Sequence, residues 1–98
     1  MASTKEFRDY VLEQLSLVAN VSSRPMMGEF LLYADGVLFG GIYDDRLLVK
    51  IVPGFNDESK MSEAIPYEGG RAMYYVEDVD DRERLKEIVE KTCYGLKA

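Results

Sequence analysis

The stretch from Met26 to Ile51 constrains the fold of this chain more than any other part. It contains three short apolar runs that are separated by two pairs of turn-forming residues. Asp35-Gly36 is typical of a type I′ hairpin turn, because both positions require positive φ, and Asp44-Asp45 is a weaker turn of the same length. The pattern therefore predicts three consecutive antiparallel strands. They are Gly28–Tyr33, Val37–Tyr43 and Arg46–Ile51.

Two-residue turns determine the register, because side chains alternate between the two faces of a strand. Leu32 is then opposite Phe39, Phe30 is opposite Gly41, and Gly41 is opposite Leu48. One face is almost wholly apolar, and we expect it to form the core. Its members are Leu31, Tyr33, Leu38, Ile42, Leu47, Val49 and Ile51. The other face is aromatic with charged edges, and we expect it to be open. Its members are Phe30, Leu32, Val37, Phe39, Tyr43, Arg46, Leu48 and Lys50.

A helix is predicted on each side of this strand region. Ser3 is a good N-cap with Glu6 in the capping-box position, and apolar residues at helical spacing continue to about Leu17. Asp80 and Glu83 repeat the capping pattern before a second apolar stripe. The remaining predicted elements are a loop over Val21–Pro25, a short helix over Asp57–Ala64, an extended piece over Pro66–Glu68 and a strand over Arg71–Val76.

These elements predict a two-layer α+β fold with an antiparallel sheet of about five strands, in the order α-βββ-α-ββ-α. The 98 residues fit a single domain over 1–98. The one cysteine excludes an intramolecular disulfide and favours a reducing compartment, so we expect a cytoplasmic protein. Neither a signal peptide nor a membrane span is predicted, because no apolar run is long enough.

The charge balance bears on possible partners. The chain has a net charge of −6, and its 12 Lys and Arg residues are scattered among 18 acidic ones. Proteins that bind a nucleic-acid backbone usually present a clustered basic patch. This composition disfavours direct DNA binding, which stays open as an alternative.

No residue set indicates catalysis. The chain lacks histidine, which removes Ser-His-Asp and Cys-His pairs and imidazole metal sites. Cys93 lies on the apolar stripe of the last helix and is predicted to be a buried, inert thiol. The acidic run 77–81 lacks the Gly and the closing Glu of an EF-hand, and helix capping explains it. We predict no catalytic residue, cofactor or metal ligand. A small enzyme that uses carboxylates and tyrosines, with or without a metal ion, is the alternative.

Four pieces of the chain, in order and at consistent spacing, follow a family pattern. They are Glu6-Phe7 through Tyr10-Val11-Leu12 to Gln14-Leu15; Arg24-Pro25-Met26-Met27-Gly28 with Leu32-Tyr33-Ala34-Asp35-Gly36 and Phe39-Gly40; Asp44-Asp45-Arg46-Leu47-Leu48-Val49-Lys50; and Ile65-Pro66-Tyr67 with Met73-Tyr74-Tyr75-Val76-Glu77. With these pieces the chain resembles the TfoX N-terminal domain family, named for TfoX/Sxy-type regulators of natural competence. Three positions depart from the pattern: Met27 replaces a usual Phe, and Glu29 and Leu31 replace frequent Gly residues.

The resemblance implies an α+β architecture similar to type III secretion chaperones, in a bacterial or archaeal cytoplasmic protein. It also implies a second, C-terminal domain in full-length TfoX-type regulators, which these 98 residues lack. We therefore do not transfer any competence role that resides in that second domain.

The open aromatic face is the predicted functional surface. Exposed contiguous apolar patches are unusual on monomers, so we expect a homodimer contact or a protein partner there. The alternative is that a helix covers this face. Arg24 is the candidate polar contact, for an anion or a partner's carboxylate. The sequence favours the alternative, in which Arg24 pairs with an acid of its own chain, such as Glu29, and fixes the loop. The prediction is a small regulatory or protein-interaction domain, not an enzyme. The candidate interface residues are Phe30, Leu32, Phe39 and Leu48.

Overall fold

The computed structural model describes residues 3–52 and 61–97 and shows an α+β fold, as predicted. Six antiparallel strands form one sheet, and the strand order across it is β1-β2-β3-β4-β6-β5. The helices are α1 (Lys5–Gln14), followed by a 3₁₀ turn (Leu15–Leu17), and α2 (Arg82–Lys97). The strands are β1 (Val21–Met26), β2 (Glu29–Ala34), β3 (Val37–Tyr43), β4 (Arg46–Val49), β5 (Ser62–Ala64) and β6 (Met73–Val76).

Three two-residue turns connect β1 to β4 as a continuous meander. Both central residues of each turn have positive φ, from 51° to 86°, as type I′ turns require. Asp35-Gly36 and Asp44-Asp45 are two of these turns, as predicted. The third is Met27-Gly28, so the predicted loop over Val21–Pro25 is wrong and this segment is β1. Pro25 is tolerated because β1 is an outer strand, where a missing backbone donor costs little.

A β-bulge shifts the register between β2 and β3. Tyr33 pairs with Leu38, but Leu32 then pairs with Gly40 instead of Phe39, and Phe30 pairs with Ile42 instead of Gly41. The predicted pairing of these two strands is therefore wrong by one residue beyond the bulge. Between β3 and β4 the predicted pair of Gly41 with Leu48 is confirmed. The extra residue reverses the faces of β2 relative to β4, because strand side chains alternate.

The core lies on the face of the sheet that packs against both described helices. Ile42, Leu47 and Val49 are fully buried there, as predicted. The bulge also brings Phe30, Leu32 and Phe39 into this core, although they were predicted on the open face. Leu31, Tyr33, Leu38 and Ile51, which were predicted in the core, remain only partly buried or exposed. The helices contribute Val11, Leu15, Leu85, Ile88 and Val89.

The second half of the chain adds two strands. Residues 62–64 form β5, so the predicted helix over Asp57–Ala64 is wrong at its end; residues 57–60 lie outside the described residues. The predicted strand over Arg71–Val76 is confirmed over Met73–Val76. This strand, β6, lies between β4 and β5, which brings the sheet to six strands instead of about five.

The helix caps differ by one residue from the prediction. Thr4, not Ser3, caps α1, and its hydroxyl accepts a hydrogen bond from the Phe7 amide at 3.1 Å. Asp81, not Asp80, accepts the Arg84 amide at the start of α2. Ser3 has another role, because its amide and hydroxyl donate to Glu29 Oε1 at 2.9 and 2.6 Å.

Glu29 joins the start of the chain to the sheet. Its carboxylate also accepts the Asp44 amide at 3.1 Å, and Asp45 Oδ1 accepts the Thr4 amide at 2.8 Å. The entry to α1 is therefore held against the β3–β4 turn by hydrogen bonds to carboxylates, which are stronger than neutral ones. Glu29 therefore has a structural role in this chain.

Gly40 permits the close approach of β3 and β4 beside the bulge. A Cβ at this position would overlap the carbonyl oxygen of Leu48 and lie 2.9 Å from the Cα of Val49. Both are backbone atoms, so the clash is relieved only if the strand moves. Gly36 differs, because nothing lies within 4 Å of its Cβ position and only its φ of +81° favours glycine.

We expect Gly40→Ala to lower the free energy of unfolding by about 3 kcal/mol, at the upper end of overpacking costs. Gly36→Ala is the matched control, with an expected loss of about 1 kcal/mol from the left-handed φ alone. Urea unfolding of both variants measures the difference. Equal losses in the two variants would contradict the close packing at the bulge.

Candidate binding groove

The face of the sheet opposite the helices carries an open groove with a volume of about 680 Å³. Residues of β1, β2, β3 and β6 provide its floor, and the 65–72 connection between β5 and β6 forms a wall. The volume lies in the range of ligand-binding clefts. Its charged lining residues are Lys50 and Arg71. The apolar residues that line it are Met26, Leu31, Leu38, Tyr43, Ile51, Pro66, Tyr67, Ala72 and Met73, together with Leu96 from the end of α2.

Arg46 positions the wall of the groove. Its guanidinium donates to the carbonyl oxygens of Tyr43 and Ile65, each at 3.2 Å. These two bonds connect the end of β3 to the beginning of the 65–72 connection. The connection then turns back at Gly69, whose φ is +84°, and the Gly70 amide donates to the Tyr67 carbonyl at 2.9 Å.

Gly41 makes space for the Tyr43 ring at the end of the groove. A Cβ on Gly41 would lie 2.7 Å from Cε2 of that ring and 2.7 Å from the Phe30 carbonyl oxygen. The Tyr43 ring lies 6.1 Å from the Tyr67 ring at a tilt of 53°, within the range of favourable aromatic pairs. Burial raises the pKa of Tyr43, and the nearby Tyr67 and Glu29 raise it further.

Several apolar side chains at the groove are exposed to solvent. Tyr67 is 58% exposed, Ile65 56% and Ile51 42%. Beneath them Tyr43, Leu48 and Met73 form a second, smaller buried cluster on this face. The groove is therefore an apolar surface that the described residues cover only in part.

The cations at the groove have no acidic partner among the described residues. Neither Lys50 nor Arg71 forms an ion pair with any of them, and Arg24 forms none either. Arg24 lies on the same face of the sheet, and its guanidinium is 5.7 Å from the centroid of the Tyr33 ring. The predicted ion pair between Arg24 and Glu29 is absent, because the Glu29 carboxylate accepts hydrogen bonds from Ser3 and from the Asp44 amide instead. The ion pairs within the described ranges all lie on the helical side: Arg8–Asp9, Arg82–Glu13 and Lys91–Glu87.

The four candidate interface residues are not brought together. Phe30, Leu32 and Phe39 lie in the helix-covered core, with at most 7% exposure, and Leu48 lies beneath the groove on the other face. The bulge is the cause, because it exchanges the faces of β2 relative to β4. The 65–72 connection that forms the groove wall was missed as a functional element, although the sequence pieces singled out above include Ile65-Pro66-Tyr67.

The described residues contain no group of three or more Cys, Asp or Glu side chains that could hold a metal ion. Asp35, Asp44 and Asp45 form turns, and Asp81 caps a helix. Cys93 is half-buried, and burial raises the pKa of its thiol, which disfavours the reactive thiolate. In the described part of the chain, no helix is long and apolar enough to cross a bilayer.

The family of the chain follows from a comparison with family models. The model of the TfoX N-terminal domain matches residues 13–94 of the 98-residue chain. The chain therefore belongs to the TfoX N-terminal domain family, as the sequence pieces predicted. The match covers all six strands and most of α2, and it begins near the end of α1. A comparison with curated proteins gave no match.

The raised pKa of Tyr43 predicts a pH dependence of stability. The folded state holds the Tyr43 proton more tightly than the unfolded state, whose pKa is about 10. The resulting contribution to the free energy of unfolding is complete below pH 10 and is lost as the pH rises through the folded-state pKa. We expect Tyr43→Phe to reduce the fall in unfolding free energy above pH 10. The control is Tyr94→Phe, because Tyr94 is 79% exposed. Urea unfolding across alkaline pH is the measurement, and equal pH profiles for both variants would contradict the prediction.

Proposed function

We propose that this domain is a small cytoplasmic regulatory module that acts through protein contacts, with the groove as its contact surface. The observation that carries the proposal is the division of the sheet into two faces. Helices α1 and α2 pack on one face, whereas the other presents a partly exposed apolar groove. Apolar patches with polar rims are typical of protein interaction sites.

The described acidic residues support binding over catalysis. A small carboxylate enzyme needs acids that converge in a pocket with perturbed pKa values. Here the carboxylates of Glu29, Asp45 and Asp81 accept structural hydrogen bonds from the amides of Ser3, Thr4 and Arg84. The described lining of the groove contains Lys50 and Arg71 as its charged side chains.

A nucleic-acid contact is the second candidate, and one observation favours it. Arg24, Lys50 and Arg71 lie on the face that also carries Tyr33, Tyr43 and Tyr67. Cations interleaved with aromatic rings are typical of surfaces that bind single strands. The aliphatic floor of Leu31, Leu38 and Met73 favours a protein segment instead, because such side chains offer no stacking plane.

Photo-crosslinking in the native cell tests the contact surface. Tyr67 is replaced by the photoreactive residue benzoylphenylalanine, and Tyr94 is replaced in the matched control. Both side chains are exposed, but Tyr94, on α2, does not line the groove. We expect protein adducts from position 67 and far fewer from position 94. Adduct mass distinguishes a homodimer from another partner, and an equal or smaller yield at position 67 would contradict the proposal.

A further inference from the structure

The charges at the groove indicate what kind of segment it binds. The whole chain carries a net charge of −6, yet the charged residues that line the groove within the described ranges are Lys50 and Arg71. Arg24 adds a third cation on the same face. A cationic groove on an acidic protein attracts negatively charged partners and repels positively charged ones.

Among the described residues, no acidic side chain forms an ion pair with these cations. Glu29 lies near Tyr43 but accepts hydrogen bonds from Ser3 and from the Asp44 amide. Glu68 belongs to the 65–72 connection, but it is exposed and does not line the groove. Lys50 and Arg71 therefore keep their charges available, although each lies beside apolar surface.

From this arrangement we propose that the groove binds a short apolar segment of another protein that carries Asp or Glu beside its apolar residues. This inference rests on the proposed function, since it names the partner of the same groove. Apolar side chains of the segment fill the space between Leu31, Leu38 and Met73, and its carboxylates pair with Lys50 and Arg71. Arginine is well suited to this, because its planar fork binds a carboxylate with two hydrogen bonds.

A second copy of the chain fits the groove less well. In a two-fold symmetric dimer the same patch is used by both copies, so Lys50 and Arg71 of both copies would lie within one interface. Like charges brought together at an interface are unfavourable. The volume of about 680 Å³ holds a few side chains, as a segment would supply, and not a packed domain surface.

Peptide display tests the inference. Random peptides are selected on the folded chain, and binding of the most enriched peptide is measured by fluorescence anisotropy at low and high salt. We expect enriched sequences that combine apolar residues with Asp or Glu, and an affinity that falls as salt rises. Enrichment of basic peptides, or of neutral apolar peptides without salt dependence, would overturn the inference.

Charge-reversal variants locate the binding. Lys50→Glu/Arg71→Glu is expected to raise the dissociation constant of the selected peptide about tenfold or more, which is about 1.4 kcal/mol. The matched control is Lys5→Glu/Lys86→Glu, which changes the net charge equally at exposed helix positions, and we expect less than about a threefold effect there. Equal effects in the two double variants would overturn the inference. Circular dichroism confirms that both variants are folded.

The outcomes separate this inference from the proposed function. If neutral peptides bind and Tyr67→Ser abolishes their binding, the groove is a contact surface as proposed, but the inference that its partner segment is acidic is overturned. If no peptide is enriched and the crosslink at position 67 joins two copies of the chain, the occupant is a second copy. The proposed function then stands and the acidic segment is overturned. If no peptide is enriched but a single-stranded oligonucleotide binds, and Lys50→Glu/Arg71→Glu abolishes that binding, both the proposed function and this inference are overturned.

Discussion

The β-bulge between β2 and β3 is the feature on which the rest of the structure depends. Phe39 and Gly40 together oppose Leu32, and this one additional residue decides which side chains of β2 share a face with β4. With the bulge, Phe30, Leu32 and Phe39 join Ile42, Leu47 and Val49 under the helices. Without it, the aromatic residues of β2 and the aliphatic residues of β4 would lie on opposite faces, and neither face would hold a complete core. Gly40 permits this arrangement because β4 backbone atoms occupy the place of a side chain.

The sequence predicts the main elements because their signals are local. Asp35-Gly36 and Asp44-Asp45 give the turns, and the apolar stripes give both helices and their faces. The first strand was missed because Met27 adopts positive φ, which is uncommon for a residue that is neither Gly, Asn nor Asp. The bulge was missed because Gly40-Gly41 indicates a close approach without showing on which residue the register shifts. The predicted register was therefore wrong by one residue, and three core side chains were assigned to the interface as a result.

The functional surface was harder to predict than the fold, because it is assembled from distant parts of the chain. Leu31 and Leu38 come from the meander, whereas Pro66, Tyr67 and Met73 come from the connection and strand that follow. Their juxtaposition depends on β6 pairing with β4 and on the Arg46 bonds to the Tyr43 and Ile65 carbonyls. Neither interaction has a signal in local periodicity. The prediction that one face of the sheet remains open and apolar agrees with the groove. Tyr43, Leu48 and Lys50 were assigned to that face correctly, whereas Phe30, Leu32 and Phe39 were not.

The central claim is that one face of the sheet stabilises the fold and the other binds a partner. Methyl chemical shifts, measured by NMR while the selected acidic apolar peptide is added, test it most directly. The account predicts that the methyl signals of Leu31, Leu38 and Met73 shift on binding, while those of the core residues Leu15, Leu85 and Val89 change little. Shifts concentrated on the core methyls, or on exposed positions of α2, with the groove methyls unchanged, would contradict it.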